Sequence, residues 1–261
     1  MKKILAVSFY VIAFVSSMNA QQQSYVPSEK LYQVSIIDAL LAGQYDGTSS
    51  LSELIKYGNF GIGTFDKLDG EMIVLDGKIY QFKTDGKIYH ANLSGTTPFA
   101  TVTSFKSDRQ FFIKNPIDMK AFQNLIDSVL NNKNLFYAVK VTGEFKYVKT
   151  RSVPSQNKPY KPLSEVTKNQ AVFEKTDLTG TLIGFRMPEF IKGINVPGYH
   201  LHFLTKDKKF GGHVLDFTLT NVKVEIHELN KFEMLLPEGK NAFKDIDLSK
   251  DRSKELEKVE K

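Results

Sequence analysis

Residues 195–217 read NVPGYHLHFLTKDKKFGGHVLDF. Alternation across Tyr199-His200-Leu201-His202-Phe203 has the period of a β-strand, which puts His200 and His202 on one face. The polar turn Lys206-Asp207-Lys208-Lys209 leads to a second strand, His213-Val214-Leu215-Asp216-Phe217. A hairpin closed by Asp207-Lys208 sets His202 opposite His213, with Cβ atoms about 4.5–5.5 Å apart. Three imidazoles then converge, a spacing that suits one zinc ion at Zn–N distances of about 2.0–2.1 Å with a fourth position open, as in catalytic sites. Spacing alone leaves another reading open, in which the histidines are polar groups on a solvent face. A bulge at Gly211-Gly212 would also slip the register and take His213 off that face.

Upstream of the hairpin, the chain reads as meanders with a few helices. Leu31 to Ala42 has helical spacing, and Leu51 to Tyr57 reads as a short helix. Asp69-Gly70 and Asp76-Gly77 are hairpin signals that divide residues 61–80 into three strands. On the middle one, Glu71 shares a face with Ile73 and Leu75, a costly place for a carboxylate unless it is paired, functional or still wet at the strand's start. A second meander spans 87–112. Asn115-Pro116 reads as the cap and first position of a helix with a stripe of Phe122, Leu125, Ile126, Val129 and Leu130. Phe136 to Val148 is a strand, followed by Arg151 in a chain with only four arginines. A guanidinium there suits a carboxylate, or else a rim ion pair.

Ser155 to Pro162, SQNKPYKP, reads as a linker. Beyond it come a short helix at 163–170, strands at 171–174 and 180–185, the histidine hairpin, strands at 221–228 and 231–236, and a charged, weakly helical end from Leu248. His90 and His227 read as surface histidines. Meanders without regular β-α alternation give an α+β class: two domains on mixed, largely antiparallel sheets with a few helices. The divisions are 31–158 for an N-terminal domain and 159–261 for a C-terminal zinc-binding domain with its tail.

Met1 to Ala20 has the form of a secretory signal, with Lys2 and Lys3 ahead of the short apolar run Ile4–Val15. Residues 21–30 read as a flexible lead. Export to a periplasm or the medium follows, with no membrane anchor after cleavage. The chain has no cysteine, which excludes disulfides and leaves histidine and carboxylate as zinc ligands. Without Lys2 and Lys3 the net charge falls from +6 to +4, spread over scattered lysines. No basic stripe tracks a nucleic-acid backbone. A small anionic substrate fits the field better.

Four segments in order carry a resemblance: GIGTFDKLDGEMIVLDGKIYQ, TPFATVTSF, FYAVKVTGEFKYVKTRSVPSQNKPYKPL and GFRMPEFIKGINVPGYHLHFLTKDKKFGGHVLDF. Together they resemble the α-acetolactate decarboxylases, from about Gly61 to the C-terminus. The resemblance implies two α/β-type domains joined around a zinc site at their interface, a homodimer, and conversion of 2-acetolactate to acetoin and CO2. It implies His200, His202 and His213 as metal ligands, and Thr64, Glu71 and Arg151 as active-site residues. A tail glutamate approaches the metal, with Glu260 the first choice and Glu257 the second. The chemistry agrees: loss of CO2 leaves an enediolate, and a Lewis acid on the substrate's hydroxyl and ketone oxygens accepts its charge. Two other readings keep the three histidines: a carbonic-anhydrase-like or cupin zinc enzyme, and a secreted zinc-binding module without catalysis.

Overall fold

The computed structural model describes residues 29–238 and 243–260, so the leader expected at Met1–Ala20 lies outside the described residues. In chain order the elements begin with β1 (Lys30–Val34), α1 (Ile37–Leu41), β2 (Ser49–Ser50), α2 (Leu51–Leu54), β3 (Phe60–Thr64), β4 (Glu71–Leu75) and β5 (Lys78–Phe82). Next come β6 (Ile88–His90), β7 (Thr96–Thr97), β8 (Ala100–Thr103), β9 (Arg109–Ile113), β10 (Ile117–Asp118), α3 (Met119–Val129) and β11 (Phe136–Ser152). The last are α4 (Leu163–Val166), β12 (Ala171–Met187), β13 (Gly198–Thr205), β14 (Gly211–Leu229), β15 (Lys231–Leu235) and α5 (Ser253–Glu260).

Two sheets carry the fold. One has seven strands in the order β15-β1-β8-β3-β4-β5-β6, mixed because β1 runs parallel to β15. The other runs β10-β14-β11-β12-β13, with β9 also paired to β14, and is antiparallel throughout. An α+β class of mixed and antiparallel sheets with few helices therefore holds. The division expected at 158/159 does not coincide with the division between sheets. Strands β9 to β11 join the second sheet, and β15 returns to the first.

Phe60, Ile62, Ile73, Ile183, Phe185 and Leu204 share the apolar core between the sheets. At about 1.5–3 kcal/mol per buried side chain, these six outweigh the several kcal/mol that burying each ion of the site costs. A second cluster packs α3 on the other sheet, where Phe122 meets the Phe217 ring at 5.4 Å.

Several local expectations change. The helix expected over 31–42 begins only at Ile37, because Leu31 to Val34 form a strand covered on both faces between β8 and β15. Its sequence therefore lacks the alternation of a half-exposed strand. The cap of α3 is Asp118, whose carboxylate accepts from the Ala121 N–H at 2.7 Å. Asn115 is displaced from that role because Ile117 and Asp118 first pair with β14. The two strands expected at 171–174 and 180–185 are one strand, and 213–228 runs unbroken in β14. His227 is buried, 2% exposed, under Phe105 and the Lys106 N–H, rather than on the surface.

Candidate active site

Two strand pairs from different sheets meet at one small cavity. In the first sheet, Thr64 of β3 lies opposite Glu71 of β4. In the second, His202 of β13 lies opposite His213 of β14, and His213 lies opposite Arg151 of β11. Directly opposed residues in an antiparallel pair share a face, so each pairing brings its side chains together. His200 joins through the period of two.

The register at Gly211-Gly212 does not slip, since Phe203 pairs with Gly212 and Leu204 with Gly211. Gly212 takes φ +123°, where a Cβ would lie 2.7 Å from the Phe82 ring and 2.8 Å from the Arg151 carbonyl oxygen. The irregularity falls two residues beyond His213: Lys149 pairs with Asp216 and Thr150 with Val214, leaving Leu215 bulged. That bulge sets Arg151 against His213.

The three imidazoles form a near-equilateral triangle, with ring centroids 5.3, 5.0 and 5.3 Å apart. One nitrogen from each lies within 4.8 Å of the others, and all three residues are buried. Burial lowers all three pKa values, those of His202 and His213 well below the usual imidazole range. Neutral rings keep a lone pair free for a metal. His202 Nδ1 lies 2.8 Å from the Met72 carbonyl oxygen. A carbonyl only accepts, so Nδ1 carries the proton and Nε2 carries the lone pair. That Nε2 is buried and has no hydrogen-bond partner. A buried acceptor with no donor is costly unless something else fills the role. One ligand nitrogen from each of three neutral imidazoles, with no thiolate, is a donor set suited to zinc.

Glu71 and Arg151 complete the polar side. Arg151 Nη1 donates to Glu71 Oε1 at 3.0 Å, and Glu71 Oε2 lies 3.8 Å from His202 Nε2. Burial pushes the Glu71 pKa up to about 7, opposed by the Arg151 charge and the Val153 backbone N–H, and reinforced by Glu260. The Thr64 hydroxyl lines the cavity and donates to the Gly70 carbonyl at 2.8 Å. From the tail, Glu260 Oε2 lies 3.6 Å from His213 Nε2, while Glu257 lines a separate outer cavity. The structure thus gathers all seven residues singled out in the sequence. It adds an apolar wall of Ile37, Leu40, Leu68, Phe99, Val153 and Leu163. Spacing marked Ile37 and Leu40 only as a buried helical stripe. The Met72 carbonyl, a backbone group, leaves no signal in sequence.

This geometry can be set beside known proteins. The family model for alpha-acetolactate decarboxylase matches residues 31–250. Alpha-acetolactate decarboxylase of Methanosarcina mazei is 50% identical over 234 residues, covering 90% of this chain and 81% of that protein. The Methylococcus capsulatus protein of the same description is 46% identical, covering 88% of each. The crystal structure of alpha-acetolactate decarboxylase from Bacillus subtilis strain 168 superposes with a TM-score of 0.86 at 40% identity, covering 88% of this chain and 99% of that one.

Proposed function

The chain belongs to the alpha-acetolactate decarboxylase family and is a carboxy-lyase acting on acetolactate; we propose that it works as a zinc enzyme, with the reaction carried out in the cavity between the two sheets. One observation carries the zinc reading: a buried His202 Nε2 that accepts from nothing, beside two further neutral imidazoles and a buried Glu71–Arg151 pair.

His200, His202 and His213 would hold the ion, with Glu260 beside His213. Bound there, zinc supplies Lewis acidity to the substrate's oxygens. The chain's own groups divide the remaining work. Arg151 is a fixed cation at the cavity, and its guanidinium orients the substrate carboxylate. The apolar wall strips water from that carboxylate and from Glu71, which strengthens every charge contact inside. When the C–C bond to the carboxylate breaks, CO2 leaves and its electron pair stays on the substrate carbon. Acetoin forms when that carbon takes a proton. Burial raises the Glu71 pKa to about 7, so near neutral pH it can both take up and give up a proton, and it is the group we assign to that transfer. Thr64 closes the wall beside it.

The test is direct. Zinc-loaded protein given racemic acetolactate should release acetoin, and a chelator should stop it. Zinc-loaded protein that forms no acetoin sinks the reading; activity that survives full zinc removal sinks its metal. We propose also that the enzyme is exported through Met1–Ala20, from Lys2, Lys3 and the apolar run behind them. N-terminal sequencing of the mature chain decides this, and a chain still starting at Met1 refutes it.

A further inference from the structure

The cavity at the histidines is small. Its volume is about 40 Å³. Helix α5 borders it through Glu260. Leu256 and Val259 of α5 pack into one apolar cluster with Ile37, Leu40 and Leu163. The Val259 carbonyl accepts from Arg151 Nη2 at 3.4 Å, and Glu260 stands against His213.

On the far side of α5 lies a cavity of about 700 Å³, lined also by the segment 189–197. Glu260 lines both cavities. Helix α1 has the same double aspect: Ile37 and Leu40 face the inner cavity, and Asp38 faces the outer one. The two helices are thus the partition between outer cavity and site.

Charged groups from both helices face the outer cavity, Asp38 of α1 and Arg252 just ahead of α5. Asp38 is 9% exposed. Burial raises its pKa, and Arg252 is the cation that opposes the rise. Arg252 Nη1 in turn donates to both oxygens of Glu255, at 3.1 and 3.0 Å, within the first turn of α5. Arg252 Nε is buried and has no partner of its own. Helix α5 has eight residues, fewer than the roughly 12–15 that an isolated helix needs to persist in water. Its position therefore depends on these tertiary contacts. The family match ends at residue 250, short of Arg252 and all of α5.

We propose that α5 is a movable partition through which substrate passes from the outer cavity to the inner one, and that Asp38 and Arg252 are positioning residues that return it to the seat where Glu260 meets His213. The proposal rests on the reading of the inner cavity as the active site, but its test does not need turnover.

That test is hydrogen exchange on the full-length, zinc-loaded protein, read at the amides of residues 254–260. In the wild type these should exchange faster than the amides of β13, through local opening. Arg252→Gln and Asp38→Asn should each speed them by about fivefold, the loss of roughly 1 kcal/mol of charge contact, with zinc stoichiometry unchanged. Arg252→Lys should speed them less. On acetolactate, Arg252→Gln should lower kcat with zinc still bound, and Arg252→Lys should recover part of it. Amides of α5 as protected as those of β13, or unchanged in both charge-removing variants, overturn the proposal. Should Arg252→Gln fail to fold, Asp38→Asn carries the same comparison. A wild type that makes no acetoin but shows the exchange pattern strikes only the proposed function.

Discussion

Arg151 Nη1 lies 3.0 Å from Glu71 Oε1, and the two side chains, each 6% exposed, come from different sheets. The pair pins the first sheet to the histidine-bearing strands of the second. It also leaves Glu71 poised between two demands, with burial pushing its pKa up and Arg151 pulling it down.

Glu71→Gln keeps the size and the acceptor oxygen but removes the exchangeable proton. Turnover should fall by about 10²-fold or more, with zinc still bound. Near-normal turnover would remove Glu71 from the proton transfer. The variant should also be the less stable of a pair. It strands Arg151, which cannot lose its charge, and a stranded buried charge costs about 3–5 kcal/mol. Arg151→Met strands Glu71 instead, and Glu71 can take a proton. Urea denaturation at pH 6 should therefore rank Glu71→Gln below Arg151→Met. The reverse order would mean that Arg151 has another sufficient counter-charge.

His202→Ala should abolish both bound zinc and activity, because His202 supplies a buried, unpartnered lone pair to the triangle. His227→Gln is the control: it is equally buried but sits under Phe105, and it should keep the zinc. Metal analysis of both proteins decides. Full zinc in the His202 variant would take that residue out of the ligand set.

The histidine hairpin was legible because two facts fix it: a side-chain period of two and a turn centred at Asp207-Lys208. Together they place His202 opposite His213, as observed. The strands β3, β4 and β5 were legible for the same reason, from their Asp-Gly turns. β1 was not, because both its faces are buried and its pattern imitates a helix. The partnership of Glu71 with Arg151 spans 80 residues of sequence and two sheets. No periodicity reaches that far, and only the resemblance placed the two residues in one site. The burial of the tail does not show in its composition: the end from Leu248 is charged and weakly helical, yet Leu256 and Val259 are buried and carry Glu260 to His213.

Gly184 of β12 lies under the backbone of His200, and a Cβ there would stand 2.0 Å from the His200 carbonyl oxygen. Backbone cannot give way as the end of a side chain can, so Gly184→Ala must push β13 off its partner strand. Weaker zinc binding should follow, with a lower unfolding midpoint, although no ligand has been changed. Competition against a calibrated chelator measures the first effect. Unaltered zinc affinity would show that His200 does not need the close approach of these strands.

Metal-free protein should lose stability on acidification, and the sign follows from opposing groups. The three site histidines have folded pKa values below their ordinary 6.5. Below pH 6.5 the unfolded chain binds protons that the folded one refuses, and stability falls by up to about 1.4 kcal/mol per pH unit for each histidine. Glu71 works the other way, because its pKa rises from 4.5 to about 7 on folding. Its contribution is complete below pH 4.5 and is lost as pH rises through 7. Between pH 4.5 and 6.5 three histidines oppose one carboxyl, so the histidines win. Denaturation midpoints of chelator-treated protein should therefore fall steadily from pH 6.5 to 5, and zinc-loaded protein should release its metal over the same range as protons compete for the lone pairs. A midpoint that climbs on acidification would mean that the buried carboxyl, not the imidazole triangle, dominates the electrostatics of the empty site.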